Sequence, residues 1–267
     1  MVDALILWTP WWLSLLAGLT LGSFANVLIH RVPQGLSLLR PASRCPACAR
    51  PIRPWENIPL LSWLLLRGSC AGCKWPIPLR YPLVEVLSAL LALSIAWRVP
   101  LGWAWLIWLP VAILLIALSF IDLDTQRLPN PLVLALGSAG LLGLVLTYSG
   151  YCGPESALPL PSNALLGMLA GGGSLWAFAW IGWFLLKRES LGAGDVKLMS
   201  ALGLLLGWQH TLLAIFLAAL GGALWGLSLR RGRHAELPFG PWLALGSWIA
   251  FLWGQPLIDA YLALVLA

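Results

Sequence analysis

Residues 103–130 read WAWLIWLPVAILLIALSFIDLDTQRLPN. The stretch through Ile121 carries no charged side chain. An uncharged apolar run of about 20 residues is the length at which a helix crosses a ~30 Å hydrocarbon core. It ends on Asp122, inside Ile121-Asp122-Leu123-Asp124-Thr125-Gln126-Arg127-Leu128-Pro129-Asn130. Proline pushes the preceding Leu128 out of helical geometry, so the helix is expected to stop before it. A second acid stands in a comparable place, Asp195 of Gly192-Ala193-Gly194-Asp195, beyond the apolar stretch 163–186. Acids at membrane helix ends are costly and usually functional.

Working outward, the rest of the 267-residue chain has the same character. It is 60% hydrophobic and only 10% charged, with a mean hydropathy of +0.86, against about 45–50% apolar and 25% charged for a soluble domain. Eighteen tryptophans fit residues that gather at membrane interfaces and contact lipid. Apolar spans are predicted at roughly 8–28, 83–97, 103–121, 132–149, 163–186, 198–208, 211–229 and 239–255. The fold class is therefore an all-α polytopic membrane protein of about eight transmembrane helices with a small cytoplasmic zinc-binding loop domain built on four cysteines. Three segments are expected: a first transmembrane helix over 1–29, the loop domain over 30–82 and a transmembrane domain over 83–267.

The net charge of +6 orients the chain and does not imply nucleic-acid binding, because its cations collect in polar loops. Met1-Val2-Asp3-Ala4 lacks the basic region that opens a cleaved signal peptide, so the first span is expected to be retained. Arg31, Arg40, Arg44, Arg50, Arg53, Arg67, Lys74 and Arg80 face one acid, Glu56, within 30–82. The positive-inside rule puts that loop in the cytoplasm and the N-terminus outside. Carried through eight spans, this leaves only Arg98 of the sixteen Lys and Arg on the outer side. Asp122 and Asp195 then share the cytoplasmic face. Ala170-Gly171-Gly172-Gly173-Ser174 lies mid-span, where small residues let helices approach closely.

Two neighbouring carboxyls do not both ionise readily. The charged one can deprotonate water, and the neutral one can donate a hydrogen bond to a carbonyl oxygen; together they hydrolyse an amide without a metal. Asp195 is expected to open a helix over 196–208, whose N-terminal dipole favours its charged form. Taken singly, each acid reads as a boundary residue balanced by Arg127 or Lys197. As a pair in helix-breaking settings, they point to catalysis. Asp124, two residues on, competes with Asp122.

Cys45-Pro46-Ala47-Cys48 and Cys70-Ala71-Gly72-Cys73 are separated by twenty-one residues. Two such knuckles suit a tetrahedral four-cysteine zinc site. Four thiolates leave zinc no open position, so its role is structural. Free thiols and a redox pair are the alternatives, and a cytoplasmic loop disfavours disulfides. Cys152 lies apart from these four. His30, His210 and His234 are scattered and read as interface or loop residues.

Taken together, these residues resemble the type IV prepilin peptidases, inner-membrane Gly-x-Gly-Asp aspartic proteases of family A24. The resemblance runs through Leu21-Gly22-Ser23-Phe24-Ala25-Asn26-Val27-Leu28-Ile29-His30-Arg31-Val32-Pro33, Arg53-Pro54-Trp55-Glu56-Asn57-Ile58-Pro59 and Arg80-Tyr81-Pro82-Leu83-Val84-Glu85. It continues with Leu128-Pro129-Asn130, Glu189 ahead of Gly192-Ala193-Gly194-Asp195-Val196-Lys197-Leu198, and Pro238-Phe239-Gly240-Pro241. Ser190-Leu191 and Leu128 depart from the family's commoner Gly-Met and Ile. The resemblance selects Asp122 over Asp124, with Asp195 as second catalytic acid.

It implies an aspartic endopeptidase that removes the short basic leader of type IV prepilins or type II pseudopilins after Gly. The substrate's apolar helix then begins with Phe, whose new amine is methylated from S-adenosylmethionine. The complete cysteine loop resembles the bifunctional members. Glu56, Glu85 and Glu189 are candidates for methyl-donor contacts, with Asn26 as a further polar position; each reads equally as a cap or an arginine partner. Implied partners are prepilin or pseudopilin substrates and membrane lipid.

Three rival classes are weaker. A transporter would place acids near mid-depth and show repeated halves. A presenilin-like protease would lack the knuckles and the Leu-Pro-Asn. A non-enzymatic assembly subunit would use the basic loop only for docking.

Overall fold

The computed structural model describes residues 2–187, 192–228 and 238–266. Nine α-helices form among them: α1 (Val2–Arg31), α2 (Leu61–Leu65), α3 (Arg80–Arg98), α4 (Trp103–Thr125), α5 (Asn130–Tyr148), α6 (Pro161–Leu186), α7 (Ala193–Leu206), α8 (Trp208–Ser228) and α9 (Gly240–Leu266). Short 3-10 turns cover Pro54–Asn57 and Pro154–Ser156. Among the described residues there is no strand, only the isolated bridges Arg44 with Pro51 and Ser69 with Pro76.

Each predicted span is a helix, but the spans are unequal. Seven helices are long and apolar enough to cross a membrane: α1 from Trp11, and α3, α4, α5, α6, α8 and α9. The eighth, α7, has 14 residues. At 1.5 Å per residue it extends about 21 Å, short of a ~30 Å core. It opens at Ala193 rather than 196 and closes at Leu206. Helix α9 runs past the expected end at 255, through Pro256, to Leu266.

The chain divides into two compact units. The first holds residues up to Trp97 together with Ala112–Ala117. Within it, α1 buries Ser14, Gly18 and Gly22 at four-residue intervals, one face of a helix. A side chain on Gly18 would press within 2.7 Å of Ala92, and one on Gly22 within 2.8 Å of Ser88. Small residues thus let α1 lie against α3, as in small-xxx-small helix pairs.

The second unit holds Arg98–Val111 and the chain from Leu118 onward. Its aromatic core sets Trp108 of α4 against Phe251 of α9, with ring centroids 4.0 Å apart. Trp108 is fully buried, and its indole N–H donates to the Ser156 carbonyl at 3.2 Å, which satisfies the one polar atom the ring brings inside. Helix α7 touches α5, α6, α8 and α9 and buries an unbroken run from Ala201 to Leu206. An apolar helix enclosed on all sides suits its near-continuous apolar sequence.

Backbone contact fixes α7 on α6. A methyl group on Gly203 would fall 2.1 Å from the Gly167 carbonyl oxygen, and one on Gly167 would fall 2.2 Å from that of Gly203. Gly171, in the small-residue run, meets both Met199 of α7 and Thr211 of α8. The two helices therefore lie along α6, joined at Gly207 with φ +76°, a left-handed conformation glycine adopts without strain. Asn163 Oδ1 accepts the Trp208 amide at 3.0 Å and caps the start of α8.

Candidate active site and metal centre

Asp122 lies in the last turn of α4, which ends at Thr125 with Gln126 in the left-handed region. The helix thus ends before Leu128-Pro129-Asn130, and Asn130 opens α5. Asp122 is only 5% exposed, whereas Asp124 is exposed. Burial separates two acids that the residues alone left competing.

The Asp122 carboxyl is held by another helix. Its Oδ2 accepts the Gly240 amide at 2.9 Å. Gly240 opens α9, and a helix leaves its first amides without internal partners. The carboxyl fills that vacancy and meets the positive end of the α9 dipole. A Cβ at 240 would lie 2.7 Å from the same oxygen, so only glycine allows this approach. The role of Gly240 was not evident from sequence. The available signal was Pro241 directly after it, proline being favoured at the first positions of a helix.

Asp195 is the third residue of α7, with Gly192 as N-cap. The Asp195 amide donates to the Gly192 carbonyl at 3.1 Å, and a Cβ on Gly192 would lie 3.5 Å from the Asp195 carboxyl, so the acid sits at the helix start. Both acids therefore sit at helix N-termini, one on its own helix and one on a neighbour's.

Two contacts bring their segments together. Leu128 packs so close to Gly194 that a Cβ there would lie 3.1 Å from it. Lys197 Nζ donates to Asn130 Oδ1 at 3.0 Å across 67 positions of sequence. Two carboxyls on adjoining segments could divide the work of hydrolysis, with one activating water and the other donating to a carbonyl oxygen.

In the other unit, Cys45, Cys48, Cys70 and Cys73 place their sulfurs within 4.8 Å of one another. Cys45 and Cys73 Sγ are 3.7 Å apart, against about 3.8 Å expected between thiolates on tetrahedral zinc with 2.3 Å bonds. The amides of Cys48 and Ala47 pull the Cys45 thiol down, and those of Cys73 and Gly72 pull Cys70 down to about 6. Cys73, although the Trp75 amide favours its thiolate, is pushed up to about 11 by burial and by the other three sulfurs. Four thiols so crowded cannot all ionise without a cation among them. The donor set suits a closed structural zinc site.

The glutamates are engaged in holding the fold. Glu56 pairs with Arg50 and accepts the Arg53 amide at 3.1 Å. That amide, then Arg50, holds its carboxyl below the usual range. Glu85 is buried and accepts the Leu60 amide at 2.8 Å. Asn26 donates to the Tyr81 carbonyl at 3.2 Å. Glu189 and His234 lie outside the described residues. His30 is exposed, and His210 packs against Gly254.

Comparison with known proteins gives two family matches. Residues 16–99 match the bacterial Peptidase A24 N-terminal domain, and residues 109–227 match the type IV leader peptidase family. The chain is 40% identical to a prepilin leader peptidase/N-methyltransferase of Aeromonas salmonicida, over 97% of its own length and 96% of that protein's. It is 40% identical to one of Pseudomonas aeruginosa over 93% and 92%, and 37% identical to one of Neisseria gonorrhoeae over 90% and 89%. No solved structure matches the chain.

Proposed function

The chain belongs to the type IV leader peptidase family, and from that membership we propose that it is a prepilin leader peptidase/N-methyltransferase whose peptidase centre is Asp122 and Asp195. Its substrates are type IV prepilins or type II pseudopilins, cut after the glycine that ends their basic leader. The observation that carries the peptidase reading is the meeting of two separate motifs, Leu128 on Gly194 and Asn130 on Lys197, which sets the segments of the two acids side by side.

In the hydrolytic step, the ionised carboxylate takes a proton from water as oxygen attacks the carbonyl carbon. The protonated partner donates a hydrogen bond to the carbonyl oxygen and stabilises the tetrahedral intermediate. Collapse breaks the C–N bond, and the amine leaves with a proton returned from the first carboxyl. No covalent enzyme intermediate forms.

The methyl-transfer step follows from the relatives' name. S-adenosylmethionine, when bound, would supply a methyl group to the new N-terminal amine. Glu56 and Glu85 already hold Arg50, the Arg53 amide and the Leu60 amide, so we read both as supporting residues.

We place the protein in the bacterial inner membrane with its N-terminus outside. The zinc loop and the paired acids face the cytoplasm, since cations collect in 30–82. The working division remains 1–29, 30–82 and 83–267.

Co-expression with a prepilin, followed by mass spectrometry of the pilin N-terminus, tests the proposal. Leader removal and one added methyl group are expected with the unaltered protein. Mature pilin formed by an inserted Asp122→Asn variant would sink the peptidase centre.

A further inference from the structure

The segment Arg53-Pro54-Trp55-Glu56-Asn57-Ile58-Pro59-Leu60-Leu61-Ser62-Trp63-Leu64-Leu65-Leu66-Arg67 is inside out by the standard of a water-soluble loop. Ser62 is 7% exposed, while Leu61, Leu64 and Leu65 are 57%, 62% and 82% exposed. Trp55 and Ile58 are exposed beside them. The buried hydroxyl is satisfied, because Ser62 Oγ donates to the Trp55 carbonyl at 2.8 Å. The Trp63 indole N–H likewise donates to the Ile77 carbonyl at 3.1 Å. Over α2 the polar atoms of Ser62 and Trp63 turn inward and the leucines turn outward, the arrangement expected where the surrounding medium is apolar.

Depth agrees with this. Glu85 holds the Leu60 amide at the start of α2. It lies five residues into α3, about 8 Å along a helix that begins at Arg80. Helix α3 is itself of membrane-spanning length and apolarity, and its first turns expose Tyr81, Leu83 and Val86. The leucines of α2 are therefore tied to the entering turns of a membrane helix and not lifted off into water. Exposed Arg53 and Arg67 close the segment at its two ends. Arg53 also lies over the Trp55 ring, 5.4 Å from its centroid.

We propose that residues 53–67 form an interfacial anchor. Helix α2 and Trp55 seat in the headgroup and acyl boundary of the leaflet facing the zinc loop, and Arg53 and Arg67 bind the phosphates of anionic phospholipid. Apolar and aromatic side chains bracketed by cations are the composition of such segments. Two exposed arginines at the ends of an apolar segment favour an anionic lipid surface. The anchor holds the zinc loop down at that leaflet.

Benzoylphenylalanine placed singly at positions 64 and 65 of the full chain, irradiated in native membranes, tests this. The lipid-exposed position 90 on α3 serves as positive control and Lys74 in the zinc knuckle as solvent control. Phospholipid adducts at 64 and 65, as at 90 and unlike 74, are expected. Adducts to a prepilin or a second copy of the chain, or no lipid adduct while 90 labels, would overturn the proposal. Native mass spectrometry of an Arg53→Gln/Arg67→Gln variant with unchanged zinc content provides the charge test. Retained phosphatidylglycerol over phosphatidylcholine should fall about 30-fold, from about 1 kcal/mol for each of the two cations at the surface. An unchanged preference would equally overturn it.

Discussion

The Gly240 amide donates a 2.9 Å hydrogen bond to Asp122 Oδ2 across 118 positions of sequence. The start of α9 and the end of α4 therefore meet at one buried carboxyl. Gly240→Ala would place a methyl 2.7 Å from that oxygen and displace the carboxyl without an unfavourable backbone angle. Leader removal should fall about 100-fold, the scale of misplacing a reacting group by about an ångström. Gly173→Ala, with open space around it, should cleave normally. Equal rates for the two variants would remove Gly240 from the site.

Replacing either acid tests the pair. Asp122→Asn and Asp195→Asn should each lower cleavage by at least about 10²-fold, the lower range for a general acid or base. The double variant should be little worse than either single one, because residues acting as a unit are not additive. Prepilin gel shifts read the rate. Asp124→Asn, at an exposed position, should keep most activity, and its loss would return Asp124 to contention.

Lys197 and Asn130 lie beside the acids and not in the pair. Breaking their 3.0 Å hydrogen bond through Asn130→Ala or Lys197→Met should lower kcat about tenfold with KM little changed. The double variant should lose no more than one single variant does, since both remove one interaction. Fully additive losses would show that the two residues act independently.

Gly203 tests the packing that carries α7. Gly203→Val would drive a side chain into the Gly167 carbonyl. Overpacking of this kind costs about 1–3 kcal/mol, so Tm in detergent should drop and cleavage with it. An unchanged Tm would mean that α6 and α7 are not in backbone contact.

Metal analysis of purified protein should find about one zinc per chain, and Cys73→Ser should abolish it, since a closed site needs all four thiolates. Limited proteolysis should then cut between α1 and α3, where an apolar core is lacking, while leaving the spanning helices intact. A metal-free protein with a protease-resistant loop would contradict the zinc assignment.

The small-residue run shows how local patterns can anticipate contact. Its glycines were expected to permit close approach, and Gly171 does meet α7 and α8. Composition is a poorer guide to which apolar helices cross the membrane. An apolar run of 14 residues looks like a membrane helix by composition, but α7 is enclosed by four others and has no need to cross the whole core.

What the sequence determined by itself was local. Apolar runs named the helices and cysteine spacing named a metal site, because each property depends on residues near one another in the chain. Tertiary structure decided which acid of the Asp122/Asp124 pair is buried, that Gly240 holds it, and that Asn130 meets Lys197. Those pairings depend on which helix faces pack together, and burial and hydrogen bonding at a separation of 118 residues leave no periodic trace in composition.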